Sequence, residues 1–275
     1  MQPSGSSDRL LLTLNCVEER VQILLAREAA LILHQEWAAP ARVMRFLVPA
    51  LDHALRSLGL KLRELDGIAC VRGPGNFTGL RLCLATTCGL AMGAGLPMAG
   101  LDYLPLLAAG PASLVQGRLV VLTHARTRLV HAQPFRVGPL LSGPDAMVGP
   151  SVIPLAPPRL VAVDHSPDVQ ALLDGDDGPV YLLGSGIRRN LKWIHPGLWP
   201  QAKILEGSWD HPRCEVLIQA ARGAVFGPAP IEPLYLRPCD AEENLEMFAA
   251  KHGFRPGEAR ERMRKEMGSA VEERA

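Results

Sequence analysis

A glycine turn, Gly73-Pro74-Gly75-Asn76, leads through Phe77, Thr78 and Gly79 to Leu80 and Arg81, and holds the residues best suited to chemistry in this sequence. A short apolar run (68–71) precedes it and an apolar, helix-like segment (79–94) follows. Gly73 and Gly75 accept backbone angles and close approaches that other residues refuse. Pro74 suits the corner of a turn. Thr78 is a fair N-cap. Free N–H groups at the helix start, with Arg81 in the first turn, favour an anion. Gly73, Gly75, Thr78, Gly79 and Arg81 are therefore candidate phosphate or nucleotide contacts. The plain alternative is a tight strand-to-helix joint whose glycines serve packing, and both readings stand at this point. The turn is not a Walker A loop, since no Gly-Lys-Ser/Thr follows, and it lacks the third glycine of a dinucleotide fingerprint.

Other chemistries find less support. No G-x-S-x-G elbow and no H-E-x-x-H occurs. His124, His131, His195 and the pair Asp164-His165 stand alone and are expected to be structural. The six cysteines (Cys16, Cys70, Cys83, Cys88, Cys214, Cys239) show neither C-x-x-C nor zinc spacing. They sit mostly in apolar runs, which predicts buried reduced thiols. No catalytic residue and no metal ligand is assigned.

The elements that must hold the turn follow from periodicity. Residues 1–9 form a polar leader, expected to be disordered. Apolar runs at 10–14, 21–26 and 31–37 predict an antiparallel meander. Over 41–58, Leu47, Leu51, Leu55 and Leu58 share one helical face, and Pro49 must kink that helix or restart it. Gly95-Leu96-Pro97 stops the helix after the glycine turn, and a strand follows at 98–101. The first lobe spans 10–105. A second, 106–240, offers a strand pair at 119–123 and 129–135, a Pro/Gly-rich loop over 137–158, a strand at 160–163, a short helix at 168–173 and a strand at 180–183. That strand ends in Gly184-Ser185-Gly186, a second glycine turn. A helix follows at 213–222 and an irregular stretch at 228–240. The charged tail, 241–275, predicts two helices. Gly89 and Gly93 lie four apart in helix 79–94, where glycine costs up to about 1 kcal/mol relative to alanine. Close approach of another helix, within the chain or from a partner, is the expected compensation.

Bulk properties narrow the classes. A chain of 275 residues with 48% hydrophobic and 21% charged residues is an ordinary globular composition. A net charge of +1 gives no general call for nucleic acid. The N-terminus lacks a signal pattern, and the longest apolar segment carries Arg81 and two glycines. A cytoplasmic protein without a membrane role is expected.

Leu65-Asp66-Gly67-Ile68, then Arg72-Gly73-Pro74-Gly75-Asn76-Phe77-Thr78-Gly79-Leu80-Arg81, then Ala85-Thr86 and Gly89-Leu90-Ala91, resembles the signature of the TsaB family. So does Pro233-Leu234-Tyr235-Leu236-Arg237. The close match covers about 60–110, and Asn76 stands where the family has serine. The resemblance implies an α/β, two-lobed actin-like ATPase (ribonuclease-H-like) fold with a divergent second lobe and a helical C-terminal tail. It implies a non-catalytic partner of TsaD, the threonylcarbamoyltransferase of tRNA threonylcarbamoyladenosine synthesis, with the ATPase TsaE joining them. It also implies tRNA contact only through the complex, a homodimer when alone, and no cofactor of the chain's own, ATP and magnesium entering at the level of the complex. Leu47, Leu51, Leu55, Gly89 and Gly93 are the candidate partner contacts. The chain departs from the family pattern at Asn15, where an acid is usual, at Val43, where histidine is frequent, and at Leu122-Thr123-His124-Ala125-Arg126, where I-D-A-R is usual. Asn15 cannot act as a base and is a poorer magnesium ligand. The rival expectation is an actin-fold ATPase or small-molecule kinase using 73–78 and 184–186 as phosphate loops.

Overall fold

The structure is a computed structural model that describes residues 8–38, 43–143, 146–175, 178–194, 201–237 and 249. The first sheet contains β1 (Leu10–Asn15), β2 (Arg20–Arg27), β3 (Ala30–Ala38), β4 (Gly67–Gly73) and β5 (Met98–Asp102), in the order β3-β2-β1-β4-β5. The hairpins β1–β2 and β2–β3 are antiparallel, while β1, β4 and β5 run parallel. Every residue of β1 is buried, as the run LLLTLN requires of a strand covered on both faces. Asp66 fixes the start of β1: its carboxylate accepts the Leu10 amide at 2.7 Å, and its own amide donates to Leu10.

Helix α1 (Val43–Ser57) and helix α2 (Phe77–Ala94) pack together, α1 against β2 and α2 against β4. Pro49 lies inside α1, which the structure assigns as one helix with no restart. The cap of α2 is Asn76, two residues earlier than Thr78. The Asn76 side chain accepts the Thr78 amide at 3.1 Å, the usual way an N-cap satisfies a first-turn donor. Gly95, in the left-handed region at φ 69°, ends the helix. Helix α3 (Tyr103–Ala109) leads on to the second sheet.

That sheet contains β6 (Gly117–Arg126), β7 (Leu129–Gly143), β8 (Ala146–Pro154), β9 (Arg159–Ala162), β10 (Val180–Leu183) and β11 (Lys203–Ile204). Its order is β8-β7-β6-β10-β11, with β9 paired to β7. Two antiparallel hairpins are followed by parallel strands, so the second sheet repeats the first. The sequence shows no such duplication. The loop expected over 137–158 is instead the end of β7 and all of β8. Pro150 and Pro154 are tolerated because β8 is an edge strand, where a missing N–H removes no ladder bond.

Helix α4 (Ser166–Leu173) covers β7 and β9, and the short α5 (Ser185–Asn190) lies on β6. Along β6 the residues alternate between two cores. Leu119 and Val121 join the larger cluster shared with the first sheet, and Val120 and Leu122 join the smaller one under α4 and α5. Helix α6 (Cys214–Gly223) returns to the first half and packs on β1, β2, β5 and α3. Gly227 then bridges Met98 with a backbone pair, and the Leu234 amide donates to the Arg72 carbonyl at 2.7 Å. The segment 214–236, which follows the second sheet in the chain, is thus cover for the first. Residues 1–236 form one compact unit and 237–275 another. The expected tail helices and leader lie outside the described residues, apart from Asp8, Arg9 and Ala249.

Candidate functional site

The glycine turn is filled by the chain itself. A Cβ on Gly75 would collide with Val17 of the β1–β2 turn. One on Gly79 would lie 2.8 Å from the Cys16 carbonyl oxygen, and one on Gly73 would lie 3.0 Å from the carbonyl oxygen of Leu234. Those glycines serve close packing against the chain. Thr78 and Arg81 are exposed. The Arg81 guanidinium stacks 3.7 Å from the Phe77 ring centroid and donates to the Tyr235 hydroxyl at 2.8 Å. Phe77 and Tyr235 are themselves 5.2 Å apart. The five candidate anion contacts therefore do not converge on a cradle, and Arg81 is a clasp to the 227–236 strap. Gly184 and Gly186 behave alike: a Cβ at either would strike the Leu122 carbonyl oxygen.

Asn15 closes the first strand. Its amide donates to the Gln22 side chain at 2.7 Å and its carbonyl oxygen accepts the Val17 amide at 3.0 Å. Gln22 passes the network on to Glu36 at 2.8 Å and to the Pro212 carbonyl at 3.0 Å. Asn15 and Gln22 are fully buried. Asn15 is thus a structural residue, held by side-chain and backbone hydrogen bonds. Asn15→Asp buries a carboxylate beside the Gln22 oxygen, and is expected to lower stability by about 2 kcal/mol or more in urea unfolding at neutral pH. A variant as stable as the parent would refute this.

The polar centre of the molecule lies where the carboxyl ends of β1 and β6 face each other. Glu18 and Glu19 form the β1–β2 turn in left-handed backbone, φ 57° and 65°. Glu18 Oε1 accepts the His124 amide at 3.2 Å and also the Ser185 hydroxyl, and Oε2 accepts the Tyr103 hydroxyl at 3.0 Å. Burial raises the Glu18 carboxyl to about 7, although three hydrogen bonds and Arg189 pull it the other way. Burial, with the Glu18 charge beside it, pushes the Tyr103 phenol well above its ordinary range. Arg189 donates to Glu19 at 2.8 Å. Asp210 accepts the Gly184 amide at 3.1 Å and pairs with Arg188 at 3.1 Å, and burial raises its carboxyl.

Burial, helped by Arg20 and Arg189, lowers His211 to about 4. Burial and Arg189 also lower His124. Both rings have a buried Nδ1 with no hydrogen-bond partner among the described residues. Sequence reasoning named Gly184-Ser185-Gly186 and His124 but missed Glu18, Tyr103, Asp210 and His211. Glu18 meets its three partners across separations of 85, 106 and 167 residues, which no local pattern reveals. The two adjacent glutamates in a short turn were the available signal.

The candidate partner contacts divide. Leu47 and Leu51 are buried and Leu55 packs against the core, so the leucine stripe of α1 faces inward, as an apolar stripe on a surface helix normally does. This corrects their placement on a partner face. Gly89 and Gly93 are exposed, and a Cβ at either meets nothing within 4 Å. Among the described residues, none approaches the missing Cβ of either glycine within 4 Å. They share the outward side of α2 with Ala85 and with Met92, which is 73% exposed. Helix α2 is long and apolar enough to cross a membrane by length and composition, but it lines the core through Leu80, Cys83, Leu84, Thr87 and Ala91.

Among the described residues no three His, Cys, Asp or Glu side chains are placed to hold a metal ion. Cys16, Cys70 and Cys83 are buried, with 3.6 Å between the Sγ atoms of Cys70 and Cys83. Cys88 and Cys214 are half-buried, and Cys239 lies outside the described residues. A separate groove of about 560 Å³ lies between α3, α6 and β5, and its charged lining residues, Arg72 and Asp102, pair with each other at 2.6 Å.

The fold and site define a duplicated two-sheet α/β protein of the actin-like class, with its central cleft bridged by its own side chains. A family model described as TsaD, tRNA N6-adenosine threonylcarbamoyltransferase, matches residues 39–157. The tRNA threonylcarbamoyladenosine biosynthesis protein TsaB of Escherichia coli is 32% identical over 100 residues, 36% of this chain and 43% of the relative. The protein of the same name from Haemophilus influenzae is 39% identical over 75 residues, 27% of this chain and 32% of the relative. The chain thus spans less than half the length of these curated relatives. The structure of YeaZ from Pseudomonas aeruginosa superposes with a TM-score of 0.62 at 21% identity, covering 83% of this chain and all of that one. Over these stretches the chain is similar to the TsaB proteins, and its fold is that of YeaZ.

Proposed function

We propose that this chain is the non-catalytic partner of a TsaD-type transferase in the synthesis of tRNA threonylcarbamoyladenosine, in the cytoplasm. The observation that carries this reading is the outward side of α2. Ala85, Gly89, Met92 and Gly93 offer a shallow apolar surface, and among the described residues none covers the two glycines. Small residues let a second helix approach closely, and an exposed apolar face marks an interaction site. Docking a helix of TsaD there makes a bundle across the two subunits. TsaE joins that pair, tRNA and ATP with magnesium are held by the complex, and the same face makes a homodimer when TsaD is absent. The names of the relatives and the family match over 39–157 support the process.

Gly89→Leu tests the surface. The new side chain enters open space in this chain, so its melting temperature stays at or above the parent's. Its affinity for TsaD of the same organism, by calorimetric titration, falls tenfold or more, about 1.4 kcal/mol, by steric exclusion. An unchanged affinity with an intact fold would remove α2 from the interface.

A further inference from the structure

The two halves of the chain have the same strand order, so the β1–β2 turn and the carboxyl end of β6 face each other where open α/β sheets take their ligands. Glu18 stands in that place. We propose that Glu18 is an internal ligand of the cleft: its carboxylate occupies an oxyanion pocket built largely by the second half and locks the two sheets in one setting.

The donor set is that of an oxyanion site. Two oxygens receive the amide of His124 at 3.2 Å, the hydroxyl of Ser185, and the hydroxyl of Tyr103 at 3.0 Å. His124 and Ser185 belong to the second half, on β6 and at the start of α5, and Tyr103 begins α3. The Tyr103 oxygen also lies 3.4 Å from the carbonyl oxygen of Asp210, which ties the same point to the segment before α6. Nearby charges are engaged elsewhere: Arg189 with Glu19, Arg20 with Glu36, Arg188 with Asp210. The pocket thus holds its carboxylate by directed hydrogen bonds, as a site for carboxylate or phosphate does. Glu18 has φ 57°, an uncommon backbone state outside glycine, and such a state persists where the surroundings hold it. Its neighbours explain why: Val17 is packed under Gly75 on one side, and the Glu19–Arg189 pair lies on the other.

Chemical rescue tests the pocket. Glu18→Ala removes the internal anion and leaves its three donors. The variant should melt several degrees below the parent. Sodium formate, acetate or phosphate should raise its melting temperature above that in sodium chloride of equal ionic strength, while the parent and Glu18→Gln show no such anion-specific rise. A rise with formate or acetate alone assigns a pocket shaped for carboxylate, and a rise with phosphate as well assigns a general oxyanion pocket. Glu18→Ala melting with the parent, or responding equally to all four salts, overturns the proposal. If Glu18→Ala does not fold, the parent decides by carbon NMR of its glutamate carboxyls. A latched Glu18 titrates near 7 and moves higher in Ser185→Ala, which removes a donor to the charged form. A Glu18 that titrates with ordinary glutamates and ignores that substitution overturns the assignment. Neither experiment involves TsaD, so the outcome is separate from that of the partner surface.

Discussion

Gly184→Ala should lower stability by about 2–6 kcal/mol, whereas Gly89→Ala should raise it. Gly184 sits at φ 121° and ψ 158°, a region essentially closed to residues with a Cβ. That Cβ would overlap the Leu122 carbonyl oxygen and lie 2.9 Å from the Leu122 carbonyl carbon. Leu122 is backbone of β6, the central strand of the second sheet, and cannot step aside as a flexible side chain would. Backbone strain of about 1–3 kcal/mol and overpacking of about 1–3 kcal/mol or more add at one point. Their sum is a large part of the about 5–15 kcal/mol by which a domain is stable. The Gly184 amide also holds Asp210 at 3.1 Å, a bond lost if the strand end shifts. Gly89, by contrast, is an exposed helix-interior glycine with nothing near its missing Cβ. Alanine there should gain about 0.5–1 kcal/mol. Soluble yield and thermal melts followed by circular dichroism measure both. A Gly184→Ala protein melting within a few degrees of the parent would show that the β6–α5 contact is loose.

The second large effect is a cancellation in the pH dependence of stability, which two single variants uncover. The Glu18 carboxyl is raised by burial to about 7 in the folded chain, against an ordinary 4.5. The folded state therefore holds this proton more tightly than the unfolded state. The resulting stability is fully present below about pH 4.5 and is lost as pH rises through about 7. His211 does the reverse, with a folded value near 4 against 6.5. Its stability is present above about pH 6.5 and is lost as pH falls towards 4. Between about pH 4.5 and 6.5 the unfolded state has gained one proton at His211 and the folded state one at Glu18, so the two slopes oppose each other. His124 and His34, also lowered, add to the acid-side loss, and Asp210, raised, works against it. Glu18→Gln removes one side of the balance. Its stability should climb with pH over this window, while that of the parent stays nearly flat. His211→Gln should gain relative to the parent as pH falls. Urea unfolding across pH 4.5–8 checks both, and parallel parent and Glu18→Gln curves would mean that Glu18 is not buried as a charge.

What the sequence made legible was local. The β4–turn–α2–β5 unit could be read because glycine, proline and an N-capping side chain act within a few residues of themselves. The functional meaning of that unit could not be read the same way. Val17, Cys16 and Leu234 fill the space at Gly75, Gly79 and Gly73, and they come from a turn some 60 residues earlier and a strap some 160 residues later. Gly67 is similar: a Cβ there would meet the Phe226 ring at 2.7 Å. The α1 leucines were found by periodicity but given to the wrong side, because a helical apolar stripe reports burial and not what buries it. The glycines of α2 remained ambiguous until the empty space beside them was visible. Strand β8 was hidden by its prolines, which its edge position tolerates, and Glu18 by the distance to every group that binds it.

The strap that closes over the glycine turn sets an order of events during synthesis. The strands of the first sheet lie within residues 10–102, yet α6, Gly227, Leu234 and Tyr235 arrive only after the entire second sheet has been made. Until then the back of β1 and β5 lacks its helix, and the Phe77–Arg81 stack waits for a hydroxyl 154 residues downstream. The first half is therefore not a domain that can finish folding as it leaves the ribosome. Its completion and that of the second half are a single late event, and a chain interrupted before residue 235 carries an unfinished first half however well its strands have paired.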